Sequence, residues 1–261
     1  MPNPDDGRGT RGGDRARSAP EYQLERRSAP GPDEAAPAQG RGPTTRRRKG
    51  APGSPISVDR EALERNVGRD RVARMERKLR EAARAYEHGD YEAALSLLRG
   101  PMQELAHNAE ARELYGLTLY RLGRWSDAAA ELIAAGSLGD SAEQLPAVAD
   151  CYRALRRWDD LEAVWDELRE ASPSAAALAE GRIVVAGSLA DRGRLAEAIE
   201  LLGRGFEPPA RPQEFHLRRM YALADLHERA GNLAAARQLF GRIAGVEPDF
   251  YDVTDRVRGL A

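Results

Sequence analysis

Gly7, Gly9 and Gly12 stand at the spacing of a G-x-G-x-x-G phosphate cradle. Such a cradle works only where a strand enters the turn and a helix leaves it, so that backbone N–H groups converge on a pyrophosphate. Neither flank carries an apolar run, and the spacing reads as coincidence in a segment rich in Gly and Arg. Arg11-Gly12-Gly13 has the composition of a single-stranded RNA contact, but it occurs once. His88, His107, His216 and His227 form neither an H-E-x-x-H motif nor a close pair that would hold a metal. Cys151 is the sole cysteine, so no disulfide can form within the chain and a thiolate zinc site is disfavoured. It reads as an inert, partly buried thiol. Neither a G-x-S-x-G elbow nor a G-x-x-x-x-G-K-[ST] loop is present. Carboxylates abound, as they do on solvated helix faces. The expectation is a non-enzymatic protein with no catalytic residues, no metal and no cofactor.

Trp125, Trp158 and Trp165 are the remaining candidates, as rings on which a ligand stacks. Their contexts argue otherwise. "RLGRWSDAAAEL" starts at Arg121, and "RALRRWDDLEAVW" repeats its sense from Arg153. A phrase that recurs marks a building block, so these rings are expected to pack at joints between helices.

Composition narrows the class. Apolar residues make up 41% of the 261, enough for a core, while aromatics make up 6%, so Ala and Leu carry the packing. The net charge of −2 gives no overall field toward nucleic acid or membrane. Lys49 and Lys78 are the only lysines among 40 basic residues. This Arg bias reads as the codon usage of a GC-rich, bacterial genome. The first residues lack the apolar stretch of a signal peptide, and the longest apolar run, Ile183 to Ala190, is far too short to span a bilayer. A cytoplasmic location without membrane contact is expected.

Texture changes near residue 57. Residues 1–56 hold eleven basic and seven acidic residues among Gly, Pro, Ala and Ser, too few large apolar groups to offset the entropy of ordering, and read as a disordered tail. "TRRRKG", Thr45 to Gly50, concentrates its positive charge. From Ser57 or Asp59, either able to cap a helix, helix formers dominate. Opposite charges four apart (Glu61 with Arg65, Asp70 with Arg74, Glu76 with Arg80) suit an exposed helix face. No period-two alternation persists, so no strand is expected.

Short helices are punctuated at Gly89, Gly123, Arg156, Gly193 and Gly231, at intervals of 34, 33, 37 and 38 residues. Glycine ends a helix because the left-handed conformation costs it nothing; Arg156 makes the third turn either strained or differently shaped. Five residues beyond each turn stands Ala94, Ala128, Leu161, Ala198 or Ala236, and four further on Leu98, Leu132, Trp165, Leu202 or Phe240. The small residue lets a second helix approach the first, and the large one fills the gap a turn later. Leu161 in the small place predicts a splayed or shifted third pair. Upstream, Tyr115-Gly116 with Leu119, Val148-Ala149 with Tyr152, Val185-Ala186 with Leu189 and Leu223-Ala224 with His227 share one order on the first helix. Pro173 and Pro248 fall where second helices must stop. Extra residues at "ASPSAAALAE" and "FEPPARPQEF" are expected to lengthen the loops before units four and five.

This pattern resembles the tetratricopeptide repeat. Gly116, Ala128 and Leu132 match its motif in unit two, Tyr152, Trp165 and Pro173 in unit three, and Ala236, Phe240 and Pro248 in unit five. The resemblance spans roughly residues 75 to 250. It implies an all-α fold, a helix-pair solenoid forming a right-handed superhelix. The expected layout is a tail at 1–56, a capping helix at about 59–68, units at about 75–108, 109–141, 142–178, 179–216 and 217–250, and a C-terminal cap at 250–261.

The resemblance also implies a concave groove lined by successive first helices. Its register selects Leu79, Ala83 and Tyr86, then Glu113, Leu117 and Tyr120, then Asp150 and Arg153, then Ile183 and Gly187, then Tyr221, Asp225 and Glu228. The lining mixes tyrosine and aliphatic surface with an excess of carboxylates. It does not reproduce the Lys, Asn and Arg with which family members clamp a terminal carboxylate, so that specificity is not carried over. The expected function is a scaffold that holds a peptide or amphipathic helix of another protein, with a basic segment favoured. The chain's own tail is one candidate occupant. The alternatives are a nucleic-acid or ribosome-associated adaptor working through the basic tail, and a regulatory subunit of an enzyme.

Overall fold

The computed structural model describes residues 60–139, 141–171 and 173–260. The tail, Ser57, Asp59 and the paired charge at Glu61 lie outside what is described of side chains. Among the described residues every regular element is helical. A short helix, α1 (Arg60–Val67), precedes α2 (Arg69–Glu87) and α3 (Tyr91–Arg99). Then come α4 (Ala109–Arg121) with α5 (Trp125–Gly139), α6 (Leu145–Ala154) with α7 (Trp158–Glu170), α8 (Ala175–Asp191) with α9 (Leu195–Gly203), and α10 (Glu214–Arg229) with α11 (Leu233–Val246). A final helix, α12 (Val253–Gly259), closes the series. Each helix packs on its sequence neighbour, and first helices also meet first helices of adjacent pairs, α6 on α8 and α8 on α10. The fold is an all-α helix-pair solenoid.

All five turns close alike. The N–H of Asp90 donates to the Ala85 carbonyl at 2.9 Å and that of Gly89 to the Tyr86 carbonyl at 3.0 Å, the two bonds that satisfy carbonyls orphaned at a helix end. The same pair of bonds recurs at Gly123, Arg156, Gly193 and Gly231. The glycines there have φ between 73° and 81°, and Arg156 has φ 55°. The third turn is thus strained rather than reshaped: an L-residue sits in the left-handed region that its four counterparts leave to glycine.

Packing follows the small–large pattern. Ala94, Ala128, Leu161, Ala198 and Ala236 are all fully buried, as are Leu98, Leu132, Leu202 and Phe240. A Cβ built on Gly116 would stand 2.8 Å from Leu132 Cγ, so α5 lies against α4 at a distance only glycine permits. Gly181 plays that part between units: a Cβ there would meet Leu168 Cδ2 at 2.3 Å and Trp165 at 3.1 Å. Trp165 packs between pairs, Trp125 sets its ring edge-on to Tyr120 at 5.4 Å, and Trp158 lies under Arg192. All three tryptophans therefore sit at joints. Leu161 shares a buried cluster with Val148, Ala149 and Leu168.

The inserted residues divide between a helix and a loop. Before unit five they form an irregular segment from Arg204 to Gln213. Before unit four they do not lengthen the loop. Ser174 accepts from Ala177 N at 3.1 Å directly after Pro173, and the added residues extend α8 to 17 residues. Arg219, 9% exposed, donates to the carbonyls of Leu202 and Arg204 beyond the end of the nine-residue α9 and lies 4.1 Å from the Phe206 ring. Its guanidinium fills the place a further helical turn would take. Burial and the nearby Arg182 charge lower its pKa to about 10.

Candidate functional site

The first-helix line is half apolar and half a chain of polar bonds. Leu79 and Ala83 do not belong to it. They are 2% and 7% exposed, in one cluster with Leu98 of α3 and Leu114 of α4, so the apolar surface of α2 is spent on its own core. Tyr86, Glu113, Leu117 and Tyr120 remain half-buried. Tyr86 meets Tyr91 edge-on at 5.4 Å, and the Arg121 guanidinium lies 4.8 Å above Tyr91. Burial pushes the Tyr86 phenol up to about 12. Glu113 is pushed up to about 7, first by burial and then by the Glu110 and Glu143 carboxylates, with Gln144 opposing.

From Tyr120 onward the polar groups bond one another. The Tyr120 hydroxyl donates to Asp150. Arg153 Nε donates to Asp150 at 2.8 Å, and its Nη1 crosses to Asp191 on α8 at 2.8 Å. Gly187 lies beneath that crossing, where a Cβ would come 3.6 Å from the Arg153 side chain. Burial alone would lower the Arg153 pKa, but the two carboxylates outweigh it and the cation is held. Asp150, 7% exposed, faces inward to these partners rather than outward to a ligand. Burial and the Asp150 charge together raise the Tyr120 pKa. The chain continues with Arg218 of α10 on Glu180 of α8 at 2.7 Å.

The same device closes unit five. Tyr221 donates to Asp252 at 2.6 Å, and Arg256 of α12 reaches Asp225 at 2.7 Å and Glu228 at 2.8 Å. Tyr221, Asp225 and Glu228 are therefore covered by the protein's own last helix. Ile183 stays half-buried and packs against the cluster of Ala186 and Leu202. Asp191, Glu180, Arg218, Asp252 and Arg256 escaped the sequence reading. One signal was available: Glu180 and Arg218 stand 38 residues apart, the local repeat interval, which places two side chains at one height on neighbouring first helices.

Three of the histidines sit at helix ends or half-buried sites, and His107 is exposed in the turn before α4. His88 Nδ1 lies 2.7 Å from the Arg84 carbonyl at the end of α2. His216 accepts from Gln213 N at the start of α10 at 3.0 Å, and burial lowers the pKa of both His216 and His227. Cys151 is fully buried, and burial raises its thiol pKa. Among the described residues no cluster of three or more His, Cys, Asp or Glu could hold a metal ion. No helix among them is long and apolar enough to cross a membrane.

Antiparallel helix pairs, glycine-turned and stacked first helix on first helix, define an α-solenoid repeat protein. A model of the tetratricopeptide repeat family matches residues 85–145, which span the first turn through the whole second pair. Residues 85–145 carry tetratricopeptide-repeat sequence, and the helix pairs beyond them repeat the same geometry. The fold is similar to the crystal structure of a thermophilic TPR protein of Thermus thermophilus, with a TM-score of 0.57 and 20% identity over 71% of this chain and 98% of that one. A second similarity, to the TPR domain of P58(IPK), has a TM-score of 0.32 and 14% identity over 78% of this chain and 69% of that one. No curated protein sequence matches the chain.

Proposed function

We propose that this protein is a non-enzymatic, cytoplasmic scaffold that holds a segment of another protein on the half-open surface of α2 and α4. The carrying observation is the contrast along the first-helix line. Asp150, Arg153, Asp225 and Glu228 are bonded within the fold, whereas Tyr86, Leu117 and the ring of Tyr120, whose hydroxyl is held by Asp150, keep half-buried ring and aliphatic surface. Rings that retain some exposure on rigid helices are efficient anchors for an amphipathic helix or extended peptide. The neutralised carboxylates speak for an apolar-faced segment over a purely basic one. Glu113 adds a group that charges near neutral pH.

The test is affinity capture with the full chain, followed by the same capture with Leu117→Glu, with Tyr86→Ala and with residues 1–56 removed. Groove binding predicts that a captured protein is lost with the first two and kept with the third. Loss on removing the tail, with capture that falls steeply as salt rises, would replace this reading with the nucleic-acid adaptor.

A further inference from the structure

We propose that the outer groove between α11 and α12 seats an amphipathic helix of a partner protein, one whose apolar stripe is bordered by carboxylates. The groove is open, with Leu233, Ala234, Arg237 and Gly241 on one wall and Val257 and Leu260 on the other. In register, Leu233 corresponds to Tyr91, Trp125, Trp158 and Leu195, the first residues of the other second helices. Those four are half-buried, while Leu233 is 51% exposed. The difference lies in the covering element. Earlier pairs are covered by a complete next pair, whereas α11 is packed by the seven-residue helix α12.

Glycine marks the same seat. Gly116 and Gly181 each receive a leucine from a neighbouring helix where a Cβ would be. Gly241 and Gly245, on α11, meet nothing within 4 Å. Glycine inside a helix costs roughly 0.5–1 kcal/mol against alanine, and among the described residues nothing approaches these two to use the space. A helix laid on α11 would find the close approach that α5 finds on α4.

The charge of the occupant is set by Arg237. Its register counterparts are Leu95, Ala129 and Ile199 in units one, two and four and Glu162 in unit three; Leu95 and Ala129 are buried at 2% and 3% by the next pair, and Glu162 pairs with Arg192 at the end of the next first helix at 3.1 Å. Here the position carries a cation, the one charged residue lining the groove, and Arg237 forms no ion pair with any described residue. Covering it with apolar surface alone would bury an uncompensated charge, so the cover must bring a carboxylate. The same groove of a second copy, packed face to face, does not supply a free one. Helix α11, "LAAARQLFGRIAGV", has no acidic residue, and Asp255 of α12 is already held by Arg258 at 3.0 Å.

The test uses the full chain and a synthetic amphipathic helix about four turns long, with a leucine stripe flanked by glutamates, against a counterpart flanked by lysines. Fluorescence anisotropy should show saturable binding of the glutamate peptide and binding of the lysine peptide weaker by about tenfold or more. Arg237→Glu should reverse the preference, and Leu233→Asp should weaken the glutamate peptide by about tenfold. Circular dichroism should show both variants melting with the wild type, because the two side chains are not in the core. Leu117→Glu and Tyr86→Ala should bind the peptide normally, which separates this face from the α2 and α4 surface. Absent or equal binding of the two peptides, or indifference to both variants, would overturn the proposal. So would a dimer of this chain that Leu233→Asp dissolves, since the seat would then belong to a second copy.

Discussion

Replacing Arg156 with glycine should stabilise the protein, although it removes a side chain and adds backbone freedom. Arg156 has φ 55° and makes the same two turn hydrogen bonds as its glycine counterparts. Holding an L-residue in that region costs roughly 1–2 kcal/mol. Glycine escapes that cost but gives back roughly 0.5–1 kcal/mol through its larger freedom in the unfolded chain. The exposed Arg156 side chain forms no ion pair among the described residues, so little else is lost. The net gain is about 0.5–1 kcal/mol, which for a domain of this size raises Tm by about 1–4 °C. The reverse change, Gly123→Ala, adds a Cβ at φ 73° with no contact closer than 3.6 Å. It should lose about as much as Arg156→Gly gains, through backbone conformation alone. Urea denaturation followed by circular dichroism measures both, with the slope m unchanged and the midpoint moved. An unmoved or lowered midpoint for Arg156→Gly would refute the claim that this turn is strained.

Ala128→Leu should overpack the fully buried joint of α4 and α5 and cost about 1–3 kcal/mol in the same assay. Asp150→Ala should cost about 2–4 kcal/mol, because it strips the acceptor from Tyr120 and one carboxylate from a largely buried Arg153. Asp191→Ala, whose carboxylate is 40% exposed, should cost under about 1 kcal/mol; equal losses for the two would show that burial does not rank them. Glu113 gives a pH dependence of unusual sign. Its folded pKa, about 7, lies above the ordinary glutamate value of 4.5, so between those values the folded state binds more protons than the unfolded state, and stability falls as pH rises through the window. Glu113→Gln should flatten that slope and raise stability at pH above 7; a slope unchanged by the substitution would assign it to other groups.

The repeat was legible because its marks are local. A glycine turn, a small residue five positions on and a large one four beyond are fixed by the geometry of a single pair, and all the small residues proved fully buried. The cross-unit bonds were not legible, because they depend on how far each first helix is shifted against the next. Arg153 reaches across to Asp191 on the next first helix, 38 residues on, with its side chain lying over Gly187, and neither residue announces that contact. Leu79 and Ala83 show the limit of register. They hold groove positions by count, but at the start of the stack the core takes them. The extra residues before α8 went into helix rather than loop because Ser174 caps immediately after Pro173, a choice that spacing alone does not encode.

The buried thiol has a consequence of its own. Cys151 is the only cysteine in the chain, it is fully buried, and it lies on α6, the first helix of the middle pair. A thiol reagent can modify it only while that pair is parted from its neighbours. Because stacked repeats are held by nearest-neighbour interfaces, opening can be confined to one stretch of the array. The wild-type protein therefore carries a natural clock at its centre: the labelling rate counts how often the stack breaks in the middle, without a single engineered residue.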